Sequence, residues 1–199
     1  MTLVCTYSNV DIYDYDINTL AGCSWVNDAI VHIHGLLVEH ENSNIRCVPP
    51  CSVQFIRFMD FSIVTQVLGD WKLNEFQTVF LPITNGTSLT ERGTHWSLLI
   101  WQTRECRFFH LDSLGSGNIS IASSLMKRIA RNYGIQKPKL YTPWCVQQEN
   151  SYDCGVFLMF YVKVICENNG NIEEAMKAVS QSQVTEFRRV LISRIRNMQ

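Results

Sequence analysis

Two neighbouring segments that are apolar at almost every position constrain this fold more than any other feature. Residues Trp96 to Trp101 and Cys106 to Leu111 are separated by a short polar turn, a pattern that predicts an antiparallel hairpin. Strands that are apolar on both faces must be covered on both faces. We therefore expect the hairpin to lie inside a central sheet with helices packed around it.

Helical and strand patterns surround the hairpin. Ser24 is a candidate cap for a helix from about Trp25 to His40, and Val79 to Ile83 is a candidate strand. Lys139 to Thr142 is a candidate edge strand. The other predicted helices are one or two over Cys51 to Leu68 ending at Gly69, one that stops at Gly134, one from Cys154 to about Glu167, and a last one with a buried stripe of Val184, Phe187, Leu191 and Ile195. No repeat or linker divides the 199 residues. We predict one α+β domain over residues 1–199, with helices around a small mixed sheet.

Composition excludes several classes of function. The net charge is -1 and no basic block is present, which argues against nucleic-acid binding. No run reaches the 18 or more apolar residues of a membrane span, and the first residues lack the features of a secretion signal. We expect a cytoplasmic or nuclear protein whose eight cysteines are free thiols.

A metal site is a weaker alternative. Cys47 and Cys51 are close in sequence, and His32, His34 and His40 precede them. Zinc sites usually combine two such close pairs of ligands, and no second close cysteine pair follows. We therefore predict no metal and no other cofactor.

Three carboxylates cluster near the N-terminus: Asp11, Asp14 and Asp16. A solvated acidic edge is the simpler interpretation, and a landing surface for a basic partner is the alternative.

The strongest candidate for chemistry is Cys154. A segment rich in uncharged polar residues, from Gln147 to Gly155, leads directly into an apolar helix. A thiol at a helix start lies near unpaired backbone N–H groups and the positive end of the helix dipole, and both favour the nucleophilic thiolate. Position alone does not separate this role from that of a structural cysteine.

A nucleophilic cysteine needs a base, an acceptor that orients the base, and donors for the oxyanion. His95 enters the first hairpin strand and Asp112 leaves the second, so antiparallel pairing should make them neighbours. His110, on the same strand face as Asp112, is interpreted as a packing or substrate-rim residue. Gln148, just upstream of Cys154, can donate to an oxyanion from its amide, although a buried glutamine also often braces a loop.

These residues together resemble the sentrin/SUMO-specific, Ulp-type cysteine protease family. That family shows Gly-x-His-Trp, a strand pair ending in Asp-Ser, and a Gln shortly before Cys-Gly, in this chain order. The corresponding segments here are Gly93 to Trp96, Asp112-Ser113, and Gln148 to Gly155. Ser24 to Asp28 is similar to the family's Ser-Trp-Leu-Asn-Asp. The resemblance runs from about residue 20 to the C-terminus and is weakest between residues 41 and 78.

The resemblance implies a substrate and its contacts. Trp25 and Trp96 would wall a tunnel that admits only the Gly-Gly tail of a ubiquitin-like modifier, whereas without the resemblance Trp25 would be interpreted as a core anchor. Asp28 could pair with an arginine near that tail or simply be solvated. The expected partners are a modifier and its conjugates, bound by a monomeric enzyme.

Two branches and two other classes of function stay open. Asn150 to Gly155 and the segment around His110 resemble the branch that acts on Nedd-type modifiers, whereas Asp112 to Gly115 and the pair Gln147-Gln148 are similar to the SUMO-cleaving branch. A catalytically silent modifier-binding module or an acetyltransferase are the rivals of another class.

Overall fold

A five-stranded mixed sheet forms the centre of the computed structural model, which describes residues 2–198. The strand order is β3-β4-β5-β6-β7, with antiparallel pairing from β4 to β6 and a parallel strand at each edge. A separate two-stranded hairpin, β1-β2, lies near the N-terminus. The strands are β1 Leu3–Tyr7, β2 Val10–Tyr13, β3 Ile45–Cys47, β4 Thr78–Thr84, β5 Trp96–Gln102, β6 Arg107–Leu111 and β7 Leu140–Tyr141.

Helices cover both faces of the sheet, as expected for strands that are apolar on both faces. Successive residues of β5 alternate between two cores: Leu98 and Ile100 pack with the helix that starts at Cys154, whereas Leu99 and Trp101 pack with the helix that precedes Gly134. The helices are α1 Asp14–Asn18, α2 Asp28–Glu41, α3 Pro50–Phe58, α4 Phe61–Trp71, α5 Ile119–Asn132, α6 Cys154–Glu167, α7 Ile172–Lys177 and α8 Gln181–Arg196, with a short 3₁₀ turn at Leu73–Glu75. The predicted α+β class is confirmed.

The start of α2 differs from the prediction. Asn27, not Ser24, caps the helix, and its side chain accepts a hydrogen bond from the backbone N–H of Ile30 at 3.2 Å. Trp25 lies in the loop before the helix, and its indole N–H donates to the carbonyl of Ser151 at 2.9 Å. Both Ser24 and Asn27 are good cap residues, and long-range contacts hold both of them: Asp16 accepts from the Asn27 amide, and Arg188 binds the Ser24 carbonyl.

Two further elements correct the sequence interpretation. α4 continues past Gly69 to Trp71, where Lys72 takes a left-handed conformation with φ of 48°. The parallel edge strand β3 was not predicted, because three residues carry too little alternation to be recognised. Gly134, with φ of 68°, follows the end of α5 as predicted.

The acidic residues near the N-terminus do not act as one surface. Asp16 is buried and accepts hydrogen bonds from the backbone N–H of Tyr13 at 2.9 Å and from the amide of Asn27 at 2.7 Å. Its carboxylate therefore holds α1 against the start of α2. Asp11 stays exposed and accepts a bond from the hydroxyl of Thr6, so a shared landing surface for a basic partner is not supported.

Candidate active site

The ends of the central hairpin bring His95 and Asp112 together. His95 directly precedes β5 and Asp112 directly follows β6, and the antiparallel register pairs Leu98 with Leu111 next to them. His95 Nε2 and Asp112 Oδ1 are 2.6 Å apart. The neighbourhood predicted from hairpin geometry is confirmed.

Cys154 is the first residue of α6, and its thiol is buried. It lies close enough to the His95 imidazole to favour the protonated ring. Since Nε2 of His95 is occupied by Asp112, the buried Nδ1 is the remaining nitrogen, and within residues 2–198 it has no hydrogen-bond partner. The arrangement Cys154–His95–Asp112 is that of a nucleophile, its base and the group that orients the base.

The electrostatics of this group favour a charged imidazole. Burial by itself would lower the pKa of His95, but the hydrogen bond and charge of Asp112, together with the neighbouring Cys154, outweigh it and raise the pKa to about 9. Burial by itself would raise the pKa of Asp112. Hydrogen bonds from His95 and from the backbone N–H groups of Leu114 and Asn118 outweigh it and keep that pKa below its usual range. His95 can therefore accept and hold a proton at neutral pH.

Gln148 is buried beside Asp112 and is tethered to the end of β6. Its backbone N–H donates to the carbonyl of Ser113 at 2.7 Å, and its side-chain oxygen accepts from the Ser113 hydroxyl at 2.9 Å. The side-chain nitrogen donates to the carbonyl of Asn150 at 2.5 Å. Among the residues that the structure describes, its second amide hydrogen has no acceptor, so the oxyanion role of Gln148 stays a prediction that this geometry permits.

The neighbouring Gln147 has a bracing role. Its amide nitrogen donates to the backbone carbonyl of Asp112 at 3.0 Å, and its oxygen accepts from the N–H of Gly115 at 2.7 Å. The two glutamines together fix the loop before Cys154 to the catalytic end of the sheet.

A cavity of about 500 Å³ lies beside the thiol and is lined by Trp25, Trp96, Asp28 and Cys154. Trp96 is buried and donates from its indole to the carbonyl of Val26 at 3.0 Å, whereas Trp25 is 51% exposed. Trp25 is therefore a wall of this cavity and not a core anchor. The structure brings the three residues predicted to bind substrate to one cavity with the nucleophile.

Asp28 faces this cavity with Arg92, which belongs to the loop before His95. Burial raises the pKa of the Asp28 carboxyl, and the positive charge of Arg92 opposes that rise. A carboxylate and a guanidinium therefore both line the space beside Cys154, and sequence patterns did not single out Arg92.

Gly155 permits the close packing behind the nucleophile. A Cβ at this position would lie 3.1 Å from Cδ1 of Trp96 and 3.1 Å from Cβ of Val26. These distances are shorter than ordinary van der Waals contact, so a side chain here would push the Trp96 wall away from Cys154.

His110 is a packing residue, as one of the two sequence interpretations held. Its side chain is buried, and its Nε2 is 3.0 Å from the hydroxyl of Ser97. Burial lowers the pKa of His110 to about 4, so this ring stays neutral and hydrogen-bonded.

The zinc alternative has no support, because among residues 2–198 no group of three or more potential ligands is arranged to hold a metal.

Sequence patterns also missed a buried ion pair behind the nucleophile. Asp153, immediately before Cys154, pairs with Arg188 of α8 at 2.6 Å, and both side chains are buried. The signal was available: Arg188 falls on the apolar stripe of α8 that includes Val184 and Leu191, where a charged residue is unusual.

Comparison with known proteins places these features in a family. Residues 64–196 match the Ulp1 protease family, C-terminal catalytic domain; this range includes the triad, Gln148 and Trp96, whereas Trp25 and Asp28 lie upstream of it. The chain is 27% identical to sentrin-specific protease 8 of Homo sapiens, covering 94% of this chain and 92% of that protein. It is 28% identical to NEDD8-specific protease 1 of Arabidopsis thaliana, covering 82% and 75% respectively.

Solved structures show the same fold. The C-terminal Ulp1 protease domain in complex with Smt3, the yeast ortholog of SUMO, superposes with a TM-score of 0.79 at 20% identity, covering 98% of this chain and 86% of that chain. The SUMO protease Ulp1 with its catalytic cysteine oxidised to a sulfenic acid gives a TM-score of 0.81 at 20% identity, covering 98% and 87%. Because the family match covers most of its length, the chain belongs to the Ulp1 family of cysteine proteases.

Proposed function

We propose that this protease cleaves after the C-terminal Gly-Gly of a ubiquitin-like modifier, releasing it from a precursor or from a conjugated protein. The observation that carries the proposal is the cavity in which Trp25 and Trp96 stand beside Cys154. A chain without Cβ atoms is the polypeptide that fits most easily between two aromatic walls. Relatives named for proteases of such modifiers support the same substrate class.

The chemistry follows from the three catalytic positions. His95 takes the proton of Cys154, and Asp112 stabilises the resulting imidazolium. The thiolate attacks the carbonyl carbon of the last glycine, and the oxyanion is held by Gln148 and the backbone N–H of Cys154. The C–N bond then breaks as His95 protonates the leaving amine. Water, deprotonated by His95, attacks the thioester, which releases the glycine carboxylate and restores the Cys154 thiol.

A Nedd-type modifier is the preferred substrate of this proposal, and SUMO is the alternative. Proteins named sentrin-specific protease 8 or NEDD8-specific protease 1 are among the relatives that match most of this chain. The cavity also has charge on both sides, with Asp28 and Arg92. We propose that Asp28 pairs with a basic residue of the modifier tail, since a carboxylate that is partly buried gains most from such a partner.

We extend the proposal to a monomer that works in the cytoplasm or nucleus. All eight cysteines are free, which suits a reducing compartment. Every group of the proposed mechanism comes from one chain, so catalysis needs no second copy. None of the helices within residues 2–198 is both long and apolar enough to cross a membrane.

The test is parallel labelling with Nedd-type modifier, SUMO and ubiquitin, each carrying a C-terminal electrophile. We expect a covalent adduct with the Nedd-type probe, located at Cys154 by peptide mass spectrometry. Cys154→Ala should form no adduct but should still bind the modifier. Faster labelling by SUMO would select the alternative. A silent binding module would bind the modifiers without any adduct, and an acetyltransferase would neither bind nor react with them; either result would overturn the proposal.

A further inference from the structure

Arg188 is a charged side chain inside the protein, only 5% exposed. It lies on the face of α8 that Val184, Phe187 and Leu191 bury. A buried guanidinium is costly unless its donors are paired. The identity of its partners therefore indicates what the residue does.

Arg188 connects two distant parts of the active site. Its Nη1 donates to Asp153 Oδ1 at 2.6 Å. Its Nε donates to the carbonyl of Leu20 at 2.9 Å, and its Nη2 to the carbonyls of Thr19, at 2.9 Å, and Ser24. One guanidinium thus holds the residue just before the nucleophile and the loop that leads to Trp25.

The contact on the nucleophile side acts at the start of α6. Asp153 Oδ2 accepts from the amides of Asn150, at 2.8 Å, and Gln181, at 3.0 Å. Its backbone carbonyl accepts the N–H of Phe157 in the first turn of the helix at 2.8 Å. The orientation of Asp153 therefore sets the orientation of the helix end that presents Cys154 to His95.

The contact on the wall side acts next to Trp25. Ser24, whose carbonyl Arg188 binds, directly precedes Trp25, and the indole of Trp25 donates to the carbonyl of Ser151. The segment that carries Trp25 and the loop before Cys154 are thus joined twice. Trp25 itself joins them at the surface, and Arg188 joins them beneath the surface.

We propose that Arg188 is a positioning residue. Its guanidinium sets the distance between the cavity wall at Trp25 and Cys154, so that the scissile carbonyl of a modifier tail bound against Trp25 lies next to the Cys154 thiol. A misplacement of about 1 Å at a reacting group can cost about a hundredfold in rate. The inference rests on the proposed function, because it takes the modifier tail to lie against Trp25.

The test compares two substitutions with a neighbouring control. Arg188→Lys keeps a positive charge for Asp153 but cannot form the fork that reaches the three carbonyls. Asp153→Asn keeps the shape of the side chain and removes its charge. Arg189→Ala is the matched control on the same helix, because Arg189 is 75% exposed and, within residues 2–198, its one ion pair is with Glu186, at 3.3 Å. Circular dichroism at the assay temperature establishes the folded fraction.

Two reactions of Cys154 separate positioning from stability. Labelling by the electrophile-tagged modifier needs both the wall and the nucleophile, whereas alkylation by iodoacetamide, followed at the Cys154 peptide by mass spectrometry, needs only the nucleophile. We expect Arg188→Lys to slow modifier labelling by about tenfold or more per folded molecule while alkylation changes by less than about twofold. Asp153→Asn should slow both reactions, and Arg189→Ala neither.

The proposal is overturned if folded Arg188→Lys labels with the modifier at the wild-type rate, or if both reactions fall only in step with the folded fraction. If Asp153→Asn does not fold, the labelling and alkylation rates of Arg188→Lys alone decide whether the proposal holds. Wild-type protein that reacts with no tagged modifier contradicts the proposed function instead. In that case alkylation still tests the nucleophile half of the inference: a slower rate at Cys154 in Asp153→Asn supports it, and a wild-type rate per folded molecule overturns it.

Discussion

Replacing Asp112 by asparagine removes one negative charge from the active site while keeping the size of the side chain. The wild-type pKa of His95 is raised from 6.5 to about 9, which corresponds to about 3 kcal/mol in favour of the imidazolium. Burial opposes this rise, and the hydrogen bond to Asp112 is the largest contribution in its favour, ahead of Cys154. Without the carboxylate, burial is opposed only by Cys154, and the pKa of His95 should fall by about one unit or more.

The activity of the variant should change in both size and pH dependence. The reactive form pairs a Cys154 thiolate with a His95 imidazolium, so the alkaline limb of kcat/KM follows the pKa of His95. In the wild type this limb should lie near pH 9. In Asp112→Asn it should move toward neutral pH, with kcat lower by about 10²–10⁴ because the tautomer of the base is no longer held.

The free energy of unfolding should also depend on pH through the pKa shift of His95. The pKa of His95 is raised on folding, so its contribution to stability is complete below pH 6.5 and is lost as the pH rises through about 9. The difference in free energy of unfolding between wild type and Asp112→Asn should therefore shrink in that window. The assays are hydrolysis of a modifier–fluorophore fusion and denaturant melts from pH 6 to 10, with exposed Asp11→Asn as control. An alkaline limb that stays at the same pH in Asp112→Asn would refute this account of His95.

Three further predictions concern the surroundings of the triad. Gln148→Ala should lower kcat by about 10²–10³ with a smaller change in KM; steady-state kinetics checks this, and an unchanged kcat would assign Gln148 to loop bracing alone. Gly155→Ala should destabilise the protein by about 1–3 kcal/mol, because the new Cβ would meet Trp96 and Val26 at 3.1 Å; an unaltered melting curve would contradict the close packing. Asn27→Ala should cost about 1 kcal/mol or more, through loss of the α2 cap and of the amide that donates to the buried Asp16; urea unfolding measures this, and no shift of the midpoint would speak against both contacts.

Sequence reasoning succeeded where function depends on local connectivity. His95 and Asp112 stand at the two ends of one hairpin, so antiparallel pairing alone makes them neighbours. Cys154 is marked by the change from a polar loop to an apolar helix, and α6 begins at that residue. Both signals are short-range, which is why spacing and periodicity are enough to read them.

The tertiary structure decided what depends on contacts between distant segments. Trp25 lies outside the predicted helix with its indole bound to Ser151, and Arg188 reaches the active site because α8 packs behind Asp153. No local pattern encodes such contacts, since their free energy comes from burying a group next to a partner that the chain brings from elsewhere. The sequence by itself thus determined the fold class and singled out Cys154, His95 and Asp112 as the candidate nucleophile and base–acid pair. Only the packing of the helices decided how the Trp25 wall is held against Cys154.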